Sequence, residues 1–166
     1  MENYIMLNGK KIPLTEEQIK LIQADVPEKS PFDRADEGET YYYIDHLFDV
    51  YNDSEFHYEE DDDCYRCANY CTDENIMKQH ALHMLLNNLL WRYSMTHGGD
   101  KISFERSTKQ CIGYYNDTKD FCIYDSVFSK FLGTVYFIDA KTARAAIEEI
   151  VKPFIEAHPE FDVTKM

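Results

Sequence analysis

Apolar and polar positions along the chain alternate between two regimes: short aromatic or β-branched runs broken by turn residues, and longer stretches with helical spacing. The opening "YIMLNGKKIPL" sets two short apolar runs around Asn8-Gly9, a dipeptide that tolerates the positive φ of a tight turn, and predicts a β-hairpin. In "TEEQIKLIQADV", Thr15 stands as N-cap with Gln18 three residues on, acids fill the first turn, and Ile19 and Ile22 share a side. That predicts a short helix ending before Pro27. "PEKSPFDRADEGE" has two prolines, a glycine and mostly charged residues, and reads as a connector. From Thr40, "TYYYIDHLFDVYNDSEFHYE" is rich in Tyr and Phe and broken by aspartates, which predicts two or three strands.

After the cysteines of "CYRCANYC" the period lengthens. Thr72 is the expected N-cap of a long helix, with Asp73 and Glu74 in its first turn and a stop at Gly98-Gly99. At about 100° per residue, Met77, Ala81, Leu82, Leu85, Leu86, Leu89 and Tyr93 fill a broad apolar arc, and His80, His83 and Asn87 form a narrow polar stripe opposite. A helix this apolar belongs at the centre of a fold. "KISFERSTKQCIGYYNDTKDFCIYDSVFSKFLGTVYFID" then predicts a meander of about three strands with a turn at "NDTKD". Asp139 caps a last helix that turns Ala143, Ala146, Ile147 and Ile150 inward until Pro153 kinks or ends it. The tail "HPEFDVTKM" reads as loosely held, and "CYRCANYC", Cys64 to Cys71, as a turn and strand leading into the central helix.

An internal echo joins the two halves. "NYCTDENIMKQHA" and "VYFIDAKTARAAI" align at a constant offset, with Tyr70 against Tyr136, Cys71 against Phe137 and Asp73 against Asp139. Each is a strand end running into a capped helix. The expected fold is therefore α+β, with antiparallel β meanders and two β-β-α-like units around a central apolar helix. Residues 1–166 read as a single domain: an N-terminal hairpin and helix over 1–26, a first unit over 40–97 and a second over 101–158.

Length and composition fit that picture: 166 residues, 44% of them apolar, suffice for one ordinary domain with a core. No run approaches the roughly 18 apolar residues of a membrane span, and the start lacks the pattern of a signal peptide. A cytoplasmic location is expected. Five cysteines, an odd number, are then free thiols or metal ligands rather than a disulfide framework.

Charge changes the picture more. Residues 33–63 hold 13 acids against the single base Arg34, and so supply −12 of the net −14. A charge segregated in this way attracts cationic surfaces and repels DNA or RNA. Direct nucleic-acid binding is not expected; a basic nucleic-acid-binding protein is the expected partner.

The segments "NGKKIPLTEEQIKLI", "ETYYYID", "ANYCTDENIMKQHA" and "GTVYFIDAKTARAAIEEI", in this order, resemble a group of small accessory proteins encoded by phages and prophages of Gram-positive gut bacteria. That group pairs a "GKEIPLT" opening with two units of Tyr-Phe plus capped helix. The resemblance spans most of the chain and implies a host-cell cytoplasmic protein without a catalytic signature. This chain departs from the group by Cys71, where an aromatic residue is usual, and by its cysteines and dense acidic run. By class, small acidic phage proteins of this kind resemble anti-CRISPR inhibitors of host defence, whose partner is a CRISPR effector nuclease.

Candidate residues follow from these observations. In strands alternate residues share a face, so Asp49, Tyr51, Asp53 and Glu55 are expected as one exposed row about 6.6 Å apart, near the phosphate spacing of a nucleic-acid strand. With Tyr58, Glu59, Glu60, Asp61, Asp62 and Asp63 they make an expected partner-binding surface within residues 36–63, because tyrosine brings contact area at little entropic cost. The alternative is a small structural protein stabilised by zinc. Cys64 and Cys67 have the spacing of a zinc knuckle, Cys71 lies four residues on, and His80 or His83 could complete the set. A redox role for "CYRC" is disfavoured by the carboxylates before it, which raise thiol pKa values. No EF-hand loop, nucleophile elbow, Walker loop or Rossmann fingerprint occurs, so no enzyme activity is expected.

Overall fold

The reciprocal cap expected at Thr15 is present. In the computed structural model, which describes residues 4–7, 9–25, 29–103, 109–126 and 130–165, the Thr15 amide donates to Gln18 Oε1 at 3.0 Å and the Gln18 amide to Thr15 Oγ1 at 3.3 Å. Two otherwise orphaned donors are thus satisfied at the start of helix α1 (Glu16–Asp25). Before it, strands β1 (Tyr4–Leu7) and β2 (Lys10–Pro13) pair antiparallel as the expected hairpin. Gly9 sits in its turn at φ 77, and Asn8 lies outside the described residues, as does Pro27. These elements belong to one compact unit, Met1–Asp33; the rest of the chain, Arg34–Met166, forms a second.

The second unit is built from the two β-β-α units. β3 (Thr40–Ile44) and β4 (Val50–Ser54) form a hairpin in which Tyr41 faces Asp53 and Tyr43 faces Tyr51. A short bridge between Tyr42 and Cys71 then adds a third line of chain beside β3, with hydrogen bonds of 2.7 and 3.1 Å. β5 (Lys109–Tyr115) and β6 (Asp120–Ser126) repeat the hairpin, and β7 (Tyr136–Phe137) lies beside β5, with Gln110 facing Phe137. In both cases the incoming segment pairs with the first strand of its hairpin and ends in an aspartate that caps the following helix. The sequence echo is thus a repeated topology: Cys71 and Phe137 occupy matching positions and both are buried.

Helix α3 (Glu74–Thr96) lies between the two β-β-α units. Its N-cap is Asp73, one residue later than expected, because the Asp73 carboxylate accepts from the Asn75 and Ile76 amides at 2.8 and 3.1 Å. Met77 and Ala81 near its start pack with Ile44 and Cys71, while Leu86, Leu89, Leu90 and Tyr93 farther on meet the second β-β-α unit. A helix apolar over a wide arc has two sheets to cover, and this one does. It stops at Gly98, whose φ of 89 suits glycine.

Pro153 neither ends nor breaks the last helix. α4 (Ala140–Ala146), capped by Asp139, passes into a π-helical segment, Ile147–Val151, and continues as α5 (Lys152–Ala157). A proline ring clashes with the carbonyl four residues back; the wider π turn just before Pro153 relieves that clash. The tail is not loose either. Phe161 is buried against Phe154, and Gln79 of α3 bonds the tail backbone at both Glu160 and Asp162. His83, expected in a narrow polar stripe with His80 and Asn87, faces Phe161.

The five consecutive carboxylates lie on a helix, which runs on through Cys64 to Arg66 where a turn is expected. α2 (Glu59–Arg66) opens at the N-cap Tyr58, and Asp61 at its third position accepts from the Tyr58 amide at 3.0 Å. Acids in the first turn are stabilised by the unpaired amides and the helix dipole, which offsets part of their mutual repulsion. No described helix is long and apolar enough to cross a membrane.

Candidate acidic interface

β3 needs cover on both faces, because aromatic and apolar residues occupy four successive positions from Tyr41 to Ile44. Ile44 and Tyr42 face α3; Tyr41 and Tyr43 face the other way, with Tyr70, Ala35 and Cys64 of α2. The side chains under α2 are where the acidic segment divides. Glu55 is 0% exposed and Asp61 3%. The sequence places both on the expected partner surface, and the fold buries them instead.

Each buried carboxylate is saturated with donors. Arg34 grips Glu55 with two bonds, Nε to Oε2 at 3.0 Å and Nη2 to Oε1 at 2.9 Å, and reaches Asp62 at 2.6 Å. The Tyr70 hydroxyl donates to Glu55 Oε2 at 2.8 Å and accepts from the Ala35 amide at 3.0 Å. The His57 amide supplies another donor to Glu55 at 2.8 Å. Asp61 accepts from the Tyr41 hydroxyl at 2.8 Å and from the Phe56 and Tyr58 amides, each at 3.0 Å. His57, at φ 60, reverses the chain so that three successive amides converge on these two carboxylates. The Tyr41 and Tyr70 rings stack between them with centroids 4.3 Å apart.

Protonation follows from these contacts. The hydrogen-bonded Arg34 guanidinium holds Glu55 below the usual carboxylate range, overcoming burial, and Tyr70 and the His57 amide add to the effect. Burial alone would raise Asp61, but the Phe56 amide, the Tyr41 hydroxyl and the Tyr58 amide together bring it below its ordinary value. Burial, with Asp61 next to it, pushes the Tyr41 hydroxyl far up; burial pushes Tyr70 up to about 12. Such groups are closed to solvent and fixed in charge. They hold a loop and a helix in place.

The remaining acids face outward. Asp49, Tyr51 and Asp53 alternate onto the same side of the hairpin as Tyr41 and Tyr43, which is the side α2 covers. The exposed row is thus Asp49, Tyr51, Asp53, without its fourth member. On α2, Glu59, Glu60, Asp62 and Asp63 are exposed. Asp62 is neutralised by Arg34 and Asp63 by Arg66. Asp49, Asp53, Glu59 and Glu60 have no basic partner among the described residues. Tyr51, Phe56, Tyr58 and Tyr65 are exposed beside them in the sequence, Tyr58 by 64%. Tyr65, which the sequence reading passed over, sets its edge on Tyr70 at 5.3 Å and its face 5.6 Å from Arg34.

The cysteines of this segment lie in different parts of the fold. Cys64 and Cys67 lie on and just after α2, Cys71 is fully buried beside β3, and His80 is exposed on α3. Among the described residues no three His, Cys, Asp or Glu side chains are grouped so as to hold a metal ion. The expected set of Cys64, Cys67, Cys71 and His80 is not brought together. Burial raises the Cys64 and Cys71 thiols, and Asp61 and Asp63 raise Cys64 further, opposite to what a thiolate nucleophile requires.

Comparison of the chain with protein-family models, with curated proteins and with solved structures gave no match in any of the three.

Proposed function

We propose that this protein is a non-enzymatic binding protein whose acidic and aromatic face, residues 49–63 without Glu55 and Asp61, docks on the basic surface of a nucleic-acid-binding protein. The observation that carries this reading is the division of the acidic segment. Asp49, Asp53, Glu59 and Glu60 keep uncompensated charge on the α2 side of the hairpin, beneath which Glu55 and Asp61 are tied down by hydrogen bonds. A rigid array of like charge with tyrosines beside it suits a cationic groove, and it gives fast, salt-dependent association. By class the reading is that of a phage-encoded inhibitor of a host defence nuclease, of the anti-CRISPR type, acting in the host cytoplasm by occupying the place of nucleic acid.

The test is competition. The tagged chain is used to capture a partner from a lysate of a Gram-positive gut bacterium, and the identified partner is purified and loaded with a fluorescent nucleic acid. Added chain should release the nucleic acid, less effectively as salt rises. Simultaneous binding of chain and nucleic acid to that partner would rule the mimicry out.

A further inference from the structure

The C-terminal segment that looked loose is clamped at very few points. The Gln79 side chain acts twice, its Nε2 donating to the Glu160 carbonyl and its Oε1 accepting from the Asp162 amide, each at 2.8 Å. Phe161 then enters the core between the His83 ring, 4.5 Å away at 63°, and the Phe154 ring, 5.4 Å away at 90°. Val163 packs beside it. The segment's own order is local: Asp162 Oδ1 accepts from the amide and hydroxyl of Thr164. Its ion pairs, His158 with Glu160 and Lys165 with Asp162, are also internal. Among the described residues no salt bridge ties it to α3 or α5.

His83 is the weak member of this clamp. Its Nε2 is buried and has no hydrogen-bond partner. A neutral imidazole tolerates that if the proton is on the other nitrogen; an imidazolium cannot, since both nitrogens then donate. We propose that residues 158–165 form a strap that leaves α3 when His83 is protonated, so that mild acid uncovers the apolar surface beneath Phe161.

The groups bearing on His83 are few. Burial holds it below the usual histidine value and the nearby His80 of α3 adds to this, whereas the backbone and carboxylate of Asp162 on the strap oppose it. α5 meets the cluster through Phe154, and His158, tilted at 42° against Phe154 with centroids 4.5 Å apart, has Glu160 as its own partner. The folded-state pKa is thus below the undocked value of about 6.5. Docking is at full strength above that value and weakens as pH falls through it toward the lower folded pKa. The outcome is the usual form of a histidine switch, a half-buried neutral ring with a buried nitrogen that must leave its site to take up a proton.

The experiment is an NMR titration of the full chain from pH 7.5 to 5.0, following the His83 ring and, after correction for intrinsic exchange, the protection of the Asp162 amide. That amide should lose protection at least about tenfold, with the midpoint of the His83 titration. His83→Phe should keep it protected at pH 5.0, His80→Gln and His158→Gln should retain the transition, and Phe161→Ala should lose protection already at pH 7.5. Unchanged protection across the range, a midpoint that does not follow His83, or a transition that persists in His83→Phe would overturn the proposal. Should His83→Phe fail to fold, the matched midpoints in the unaltered chain decide.

Discussion

Tyr70 donates a hydrogen bond of 2.8 Å to Glu55, a carboxylate without solvent access in the most acidic stretch of the chain. The contact joins the segment entering the central helix to the end of β4, and through the Ala35 amide on the same hydroxyl it also fixes the connector. Tyr70→Phe keeps the ring stacked on Tyr41 and removes only the hydroxyl. It should lower stability by about 1–2 kcal/mol in urea unfolding, because both Glu55 and the Ala35 amide lose a partner. A loss below about 0.3 kcal/mol would show the bond to be dispensable.

Acid should weaken the same network. Glu55 and Asp61 lie below their ordinary values of 4.5 and 3.8 in the folded chain. Their stabilisation is therefore complete above those values and is lost as pH falls through the lower folded ones. The urea midpoint should drop below about pH 4.5, and Glu55→Gln should flatten that drop while lowering the midpoint at pH 7. Strap release is separable from this, since Glu55→Gln leaves the His83 clamp intact.

The two matching positions of the repeat differ in what they fill. Phe137→Ala should cost about 3–5 kcal/mol, whereas Cys71→Ala removes one sulfur and should cost about 1 kcal/mol. Urea unfolding of both variants checks the order. Equal losses would show that the two units do not bury these positions alike.

Metal removal gives a further check. With Cys64, Cys67, Cys71 and His80 apart, treatment with a strong chelator should leave the melting temperature unchanged. A drop of several degrees, with zinc found in the purified protein, would revive the zinc-stabilised reading.

Much of this architecture was readable from periodicity. The apolar arc from Met77 to Tyr93, the caps at Thr15 and Asp139, and the echo between Tyr70-Cys71 and Tyr136-Phe137 all appear in the fold. These are local signals, and local physics decides them. What was not legible is which acid goes inside. Glu55 and Asp61 look like their neighbours in sequence, and only the return of Arg34 and Tyr70 from distant positions singles out Glu55. α2 was not legible for a related reason: Tyr58 to Asp63 read only as the end of an acidic segment, and the helix shows only once Asp61 accepts from the Tyr58 amide while the other acids use its dipole. The tail was misjudged because Gln79 and Phe161 lie far apart in the chain, so their shared site leaves no local pattern.

The central claim is that one acidic segment contains an inner pair that holds the fold and an outer set that binds. Its most direct test compares two variants, Asp49, Asp53, Glu59 and Glu60 all to Lys, and Glu55→Gln with Asp61→Asn, for melting temperature and for binding to the captured partner at low and high salt. The account predicts that the first variant melts as the parent does and loses salt-sensitive binding, while the second melts lower. Partner binding by the first variant that is unchanged at both salt concentrations would contradict it.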